Sequence, residues 1–233
     1  MLIKERINQI LGNDDKYIIG FADLSNLLHK SYEDYNYAVV IGKKLDDSII
    51  DSIESGPTIE YLNHYETINH ILSVLIHKIA NELNSMQVPV IVIEPTVGDE
   101  ELDDDYYQTL RVDFSHKMAA TRAGLGWIGK TDLFISKKFG PRLRLATILT
   151  NHPLSSSDKP IDESQCGSCK LCVERCPAQA ANGKLWNISI DRDEFYNPFK
   201  CREKCRELSW KNMQRHATIC GICVSVCPIG KNS

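Results

Sequence analysis

The chain has 233 residues, 42% of them hydrophobic, and a formal net charge of −4. That content supports one sizeable core plus a small satellite, and no apolar run reaches the ~18 residues of a membrane span. The opening Met1-Leu-Ile-Lys-Glu-Arg6 puts charges in the first turns, which argues against a secretory signal peptide and for a cytoplasmic protein.

In chain order, Tyr37–Gly42 reads as a short buried strand. Residues 64–84 follow as an amphipathic helix, with Tyr65, Ile68, Leu72, Leu75, Ile79 and Leu83 at three- and four-residue steps. His64, His70 and His77 lie on or beside it, without the i, i+4 spacing of a helical metal pair, and read as solvated surface. Val88–Ile93 is a β-branched strand, and residues 99–105 form an acidic loop. Ser115 caps a helix through Met118 and Arg122 that stops at Gly124.

Next comes Gly124-Leu-Gly-Trp-Ile-Gly-Lys130. Gly124, Gly126 and Gly129 match the GxGxxG spacing but follow a helix rather than a strand, so this is not a dinucleotide fingerprint. It reads as a tight turn against a ligand or another segment, with Gly124, Gly126, Trp127, Gly129 and Lys130 as candidate cofactor contacts. Strand-like runs at Leu133–Ser136 and Leu143–Leu149 complete an α/β domain over residues 1–155. Ser155–Pro160 links it to a smaller domain over 156–233.

That second domain carries the chemistry. All nine cysteines fall in the last 68 residues. Cys166-x2-Cys169-x2-Cys172-x3-Cys176-Pro177 is the bacterial ferredoxin run, whose first three thiolates hold one [4Fe–4S] cluster and whose fourth crosses to another. Cys220-x2-Cys223-x3-Cys227-Pro228 is a second arc, one ligand short. Pseudo-symmetry sends Cys227 back to the first cluster and leaves the second in need of Cys201 or Cys205. Zinc prefers two separated pairs closing one tetrahedron and fits less well. Residues 166–233 carry 11 Lys and Arg against 6 Asp and Glu, and residues 1–165 carry 16 against 25. Two four-thiolate clusters at about −2 each nearly cancel that basic excess, so it does not by itself point to nucleic acid.

The Ala123–Lys130 turn, Gly140-Pro-Arg142, Arg144–Thr150 and the two cysteine arcs together resemble the epoxyqueuosine reductase family and its shorter members. The match is strong over residues 110–233. That family is similar to the reductive dehalogenases, so the resemblance implies a nitroreductase-like domain able to hold cobalamin, followed by a two-cluster ferredoxin-like domain. It also favours Cys201 as the remaining ligand of the second cluster. The family's acidic proton donor falls on Leu110 and its neighbouring glutamate on His116, with Asp113 the nearest carboxylate. His116 and Asp113 are therefore the candidate catalytic residues.

The expected protein is an α+β iron–sulfur oxidoreductase with two [4Fe–4S] clusters, taking electrons from a donor such as ferredoxin or flavodoxin. It passes them to a small-molecule substrate or corrinoid in the larger domain. The alternative is a non-catalytic electron-transfer or corrinoid-handling protein. The acidic larger domain, and the absence of the family's helical-repeat extension after Pro228, make tRNA an unexpected partner.

Overall fold

In a computed structural model of the chain, residues 3–12, 14–98, 102–154 and 158–231 are described. They form helix α1 (Ile3–Leu11), strands β1 (Tyr17–Asp23) and β2 (Tyr37–Lys44), helices α2 (Asp47–Asp51) and α3 (Ile59–Ser85), and strand β3 (Val90–Ile93). Helices α4 (Asp104–Thr109) and α5 (His116–Arg122), strands β4 (Gly126–Ile128), β5 (Phe134–Ser136) and β6 (Leu143–Thr150), and helices α6 (Leu171–Glu174), α7 (Pro198–Met213) and α8 (Ile222–Ser225) complete the order. None of the helices searched among the described residues is long and apolar enough to cross a membrane. Residues 99–101 of the acidic loop and 155–157 of the linker lie outside the described residues.

The chain divides into two compact units that interleave in sequence. One takes residues 1–44, 68–125 and 144–160; the other takes 45–67, 126–143 and 161–233. The second unit thus recruits two earlier segments to the cysteine-bearing one, which the proposed division at 155/156 does not include.

The first unit is built on a four-stranded sheet of order β1-β2-β6-β3, with β1 antiparallel to β2 and β3 antiparallel to β6. Ala38–Ile41 and Ala146–Leu149 are fully buried, as the near-continuous apolar runs of central strands require. Strand β3 starts after Pro89, whose missing N–H cannot join a ladder. Helix α5 begins where expected: the Ser115 hydroxyl accepts from Met118 N–H, and Gly124, at φ 70°, follows the last turn.

Helix α3 starts five residues earlier than its apolar spacing indicates. The signal lay in Gly56-Pro57-Thr58, where the Thr58 hydroxyl accepts from Tyr61 N–H and caps the first turn. His70 and His77 are exposed, as a solvated helix face implies; His77 pairs with Glu94 at 2.7 Å.

In the second unit, β4 and β5 form a small antiparallel hairpin, with Gly126 opposite Ser136. Half of the expected Gly124–Lys130 turn is therefore strand. Gly126 is required because a Cβ there would lie 2.0 Å from Ile135 O. Short helices α6 and α8, each lying within a cysteine arc, pack together, and α8 also packs on α2.

Residues 139–142 and 229–230 press backbone to backbone. A Cβ on Gly140 (φ +55°) would sit 1.9 Å from Ile229 O, and one on Gly230 2.1 Å from Phe139 C. Two residues on, the fully buried Arg142 bonds Asp47 Oδ1 at 2.9 Å, Asp51 Oδ1 at 2.6 Å and Ser225 O at 3.2 Å. The Gly-Pro-Arg segment thus ties α2 to the end of the second cysteine arc.

Gly140→Ala should destabilise this unit by at least about 2 kcal/mol, from strain plus backbone collision. Gly183→Ala, at φ +88° with nothing within 4 Å, should cost only about 1 kcal/mol for its left-handed backbone. Chemical denaturation followed by tryptophan fluorescence reads the difference, since Trp127, Trp186 and Trp210 all belong to this unit.

Candidate iron–sulfur site

No cysteine is paired; all nine are free thiols. In the second unit they form two groups. Cys166, Cys169, Cys172 and Cys227 line a cavity of about 90 Å3, together with Cys223, Gly129, Lys130, Thr131 and Ile229. The thiols closest in electrostatic effect to Cys227 are Cys172, Cys166 and Cys169, the full first arc. Burial pushes the Cys172 thiol up and the Cys227 thiol up to about 11. A thiolate at either position therefore needs cationic or metal compensation.

Four donors reach the first group. Trp127 Nε1–H donates to Cys166 Sγ at 3.3 Å. The Thr131 hydroxyl bonds Cys172, and Ile229 N–H bonds Cys227. Lys130, 3% exposed, donates from Nζ to Gly167 O at 2.8 Å and Cys169 O at 2.7 Å, holding the loop of the arc. Of the residues expected to contact a cofactor, Gly129 and Lys130 line this cavity and Trp127 bonds one of its thiols. Gly126 instead packs on Ile135, which Gly129 also meets, and Gly124, in the first unit, packs on Asp158 and Lys159.

The second group gathers around α7. Cys201 and Cys205 lie one turn apart with sulfurs 3.8 Å from each other, and Cys205 also bonds Cys220. Cys205 is the more buried, and its thiol is held up because it hydrogen-bonds both neighbours. Cys201 is pulled down to about 6 by the bond from Cys205, helped by the Tyr196 hydroxyl. Burial raises Cys223, whose neighbours in electrostatic effect are Cys220, Cys201, Cys172 and Cys176. Cys176 accepts from Ala180 N–H at 3.5 Å. Ser209 Oγ donates to Ile219 O and fastens α7 to the second arc. The length of α7 escaped the sequence reading; Asn197-Pro198, a cap followed by proline at the first helical position, is the signal that marks its start.

The two candidate proton donors lie in the first unit. The Asp113 carboxylate is exposed and stands 3.3 Å from His29 Nδ1 and 3.5 Å from Ser31 Oγ. The His116 ring is engaged at both nitrogens: Nε2 donates to Glu94 O at 2.8 Å and Nδ1 accepts from Thr147 Oγ1 at 2.8 Å. Burial lowers it to about 4, so near neutral pH it is an uncharged strut between the end of β3 and β6.

Because the folded value lies below the ordinary 6.5, the unfolded chain binds the extra proton between those values. Stability should then be constant above pH 6.5 and fall as pH drops toward 4, by at most about 2 kcal/mol between pH 6.5 and 5. His116→Gln should flatten that part of the profile in thermal melts at stepped pH, and NMR should find this imidazole uncharged at pH 6.

Residues 165–230 match the model of a 4Fe-4S double cluster binding domain. The epoxyqueuosine reductase of Lactococcus garvieae is 33% identical over 58% of this chain and 38% of its own length; that of Synechocystis is 35% identical over 48% and 38%. The tetrachloroethene reductive dehalogenase of Sulfurospirillum multivorans is 30% identical over 49% of this chain and 23% of its own. The chain thus spans well under half the length of these curated relatives. A catabolic reductive dehalogenase in complex with 3-bromo-4-hydroxybenzoic acid superposes with a TM-score of 0.67 at 20% identity, over 98% of this chain and 31% of that one. A selenomethionine-labelled epoxyqueuosine reductase gives 0.62 at 17%, over 99% and 65%. The chain is thus similar in part of its sequence to epoxyqueuosine reductases and to a reductive dehalogenase, carries a match to a 4Fe-4S double cluster binding domain, and shares its fold with solved members of both groups.

Proposed function

We propose that the chain is an iron–sulfur oxidoreductase that moves electrons through two [4Fe–4S] clusters to a substrate in the domain of residues 1–155. The observation that carries this reading is the convergence of Cys166, Cys169, Cys172 and Cys227 on one cavity. Cys227 of the second arc stands there beside the three thiols of the first, which agrees with the crossing that two-cluster ferredoxin spacing implies. Cys176, Cys220, Cys223 and Cys201 would hold the second cluster, with Cys205 left as a buried thiol beside it. When bound, the clusters supply one-electron storage and transfer. The chain's own part is to fix the thiols, withdraw water and donate hydrogen bonds to sulfur, which tunes potential.

A corrinoid is a second reading for the larger domain. It rests on the fold neighbours, among them a reductive dehalogenase whose structure suggests a mechanism for B12-dependent dehalogenation, with a TM-score of 0.66 at 19% identity. The Gly124–Lys130 residues fit that group poorly, since their glycines meet protein atoms and their Trp and Lys bond the cysteine loop. A related epoxyqueuosine reductase was solved with an epoxyqueuosine-modified tRNA stem loop; for this chain the acidic balance of residues 1–165 keeps tRNA outside the proposal. Of the two proton-donor candidates, Asp113 keeps an exposed carboxylate, whereas both ring nitrogens of His116 are engaged.

Anaerobic reconstitution should give about eight iron and eight sulfide per chain. Cys227→Ser should damage the first cluster and Cys176→Ser the second, read by electron paramagnetic resonance of the reduced protein. Stoichiometric zinc without sulfide would overturn the proposal. Cobalamin added to the reconstituted protein tests the second reading through its absorption spectrum, where an unchanged spectrum removes it.

A further inference from the structure

Lys130 presents a problem of charge. The residue is 3% exposed, and the two hydrogen bonds of its ammonium go to carbonyl oxygens of Gly167 and Cys169. Among the described residues it has no carboxylate partner. Taking an ammonium out of water costs several kcal/mol even after relaxation, and two neutral carbonyls recover only part of that. A buried cation of this kind calls for an anion, and the cavity it lines is walled by the thiols of the first arc.

The second group of thiols is built differently. It has comparable hydrogen bonds: Ala180 N–H to Cys176, the Tyr196 hydroxyl to Cys201 and a backbone bond from Ile222 to Cys220. The buried cation belongs to the first group. The one other buried cation described in this unit near the arcs, Arg142, already has the carboxylates of Asp47 and Asp51.

We propose that Lys130 is the counter-charge of the cluster held by Cys166, Cys169, Cys172 and Cys227, and that with the Trp127 N–H it sets this cluster's reduction potential above that of its neighbour. The proposal rests on the two-cluster reading given above. A cluster gains one negative charge when reduced, so a fixed cation in a water-poor site stabilises the reduced form more than the oxidised form. Hydrogen bonds to thiolate sulfur act in the same direction. Electron flow then has a direction. A low-potential one-electron donor of the reduced ferredoxin or flavodoxin class is oxidised by one electron at the Cys176/Cys201 site. That site in turn gives the electron to the Cys166 site, the internal acceptor.

The test is a redox titration of the reconstituted protein followed by electron paramagnetic resonance, with Cys227→Ser and Cys176→Ser identifying the two signals. Wild type should show the first cluster as the higher-potential one. Lys130→Met should lower that cluster's potential by about 59 mV or more, a tenfold change in its one-electron equilibrium, and leave the second cluster unmoved. Trp127→Phe should shift it the same way by less, and Lys130→Arg should restore most of the wild-type value.

A Lys130 that only props the Gly167–Cys169 loop would lower cluster occupancy without moving the potential of the loaded fraction. That result, or an equal shift of both clusters, overturns the proposal. Where Lys130→Met loads poorly, Trp127→Phe decides: a first-cluster potential unchanged in it rejects the assignment. Wild-type protein with no cubane signal would instead refute the two-cluster reading on which this one stands.

Discussion

Charge on buried sulfur is the constraint around which the second unit is organised. Burial drives up the thiols of Cys172, Cys223 and Cys227, so a thiolate there exists only against a compensating cation or metal. Neighbouring chain features follow from the need to hold several such groups close together without water. Each arc runs into a short helix that a Cys-Pro step ends, α6 and α8 pack on each other, and hydrogen-bond donors from four separate segments reach the sulfurs. A unit this small has little apolar surface to spare, and it borrows residues 45–67 and 126–143 to enclose the thiols.

That borrowing explains two sequence features with no evident purpose on their own. The glycines of Gly140-Pro-Arg142 and Ile229-Gly230 let two backbones meet where any side chain would collide, and this contact sits beside the last cysteine arc. Arg142 then spends its buried charge on Asp47, Asp51 and the Ser225 carbonyl between Cys223 and Cys227. Removing one partner of a buried ion pair is far more costly than the pair itself is stabilising. The arrangement is therefore better understood as fixing the position of α8 than as adding stability.

Sequence reading succeeded where the signal is local. Cysteine spacing marked the cluster-binding segment that the double-cluster domain match over residues 165–230 covers, because ligand spacing is set by a few residues of backbone. Ser115, Gly124 and the β-branched runs marked α5, β3 and β6 for the same reason. Strand β1 and helix α1 were overlooked despite apolar content, and α3 was started late because its cap was outweighed by its periodicity. The Gly124–Lys130 segment was read as a tight turn against a ligand or another segment, with no signal for which. Its partners, Ile135, Cys166 and Gly167, lie up to 39 residues away in sequence, and no local pattern announces such a pairing. His116 likewise reads as a titratable donor until Glu94 and Thr147, brought to it by the sheet, occupy both ring nitrogens.

The charge count shows most clearly where composition stops being informative. The basic excess of residues 166–233 is close in size to the charge of two clusters, which makes Lys200, Arg202, Lys204, Arg206, Lys211 and Arg215 attractive as its compensation. Arg202 and Lys204 are half-buried and the other four are exposed, and water and salt screen exposed charges strongly over a Debye length of ~10 Å. The cation with real leverage on a cluster is Lys130, from the part of the chain that is acidic overall. One ammonium held out of water beside the first arc acts through a much lower effective dielectric than four in solvent. Net charge by segment therefore measures solubility and long-range attraction, whereas the potential of a buried centre is set by the few charges that share its desolvated volume.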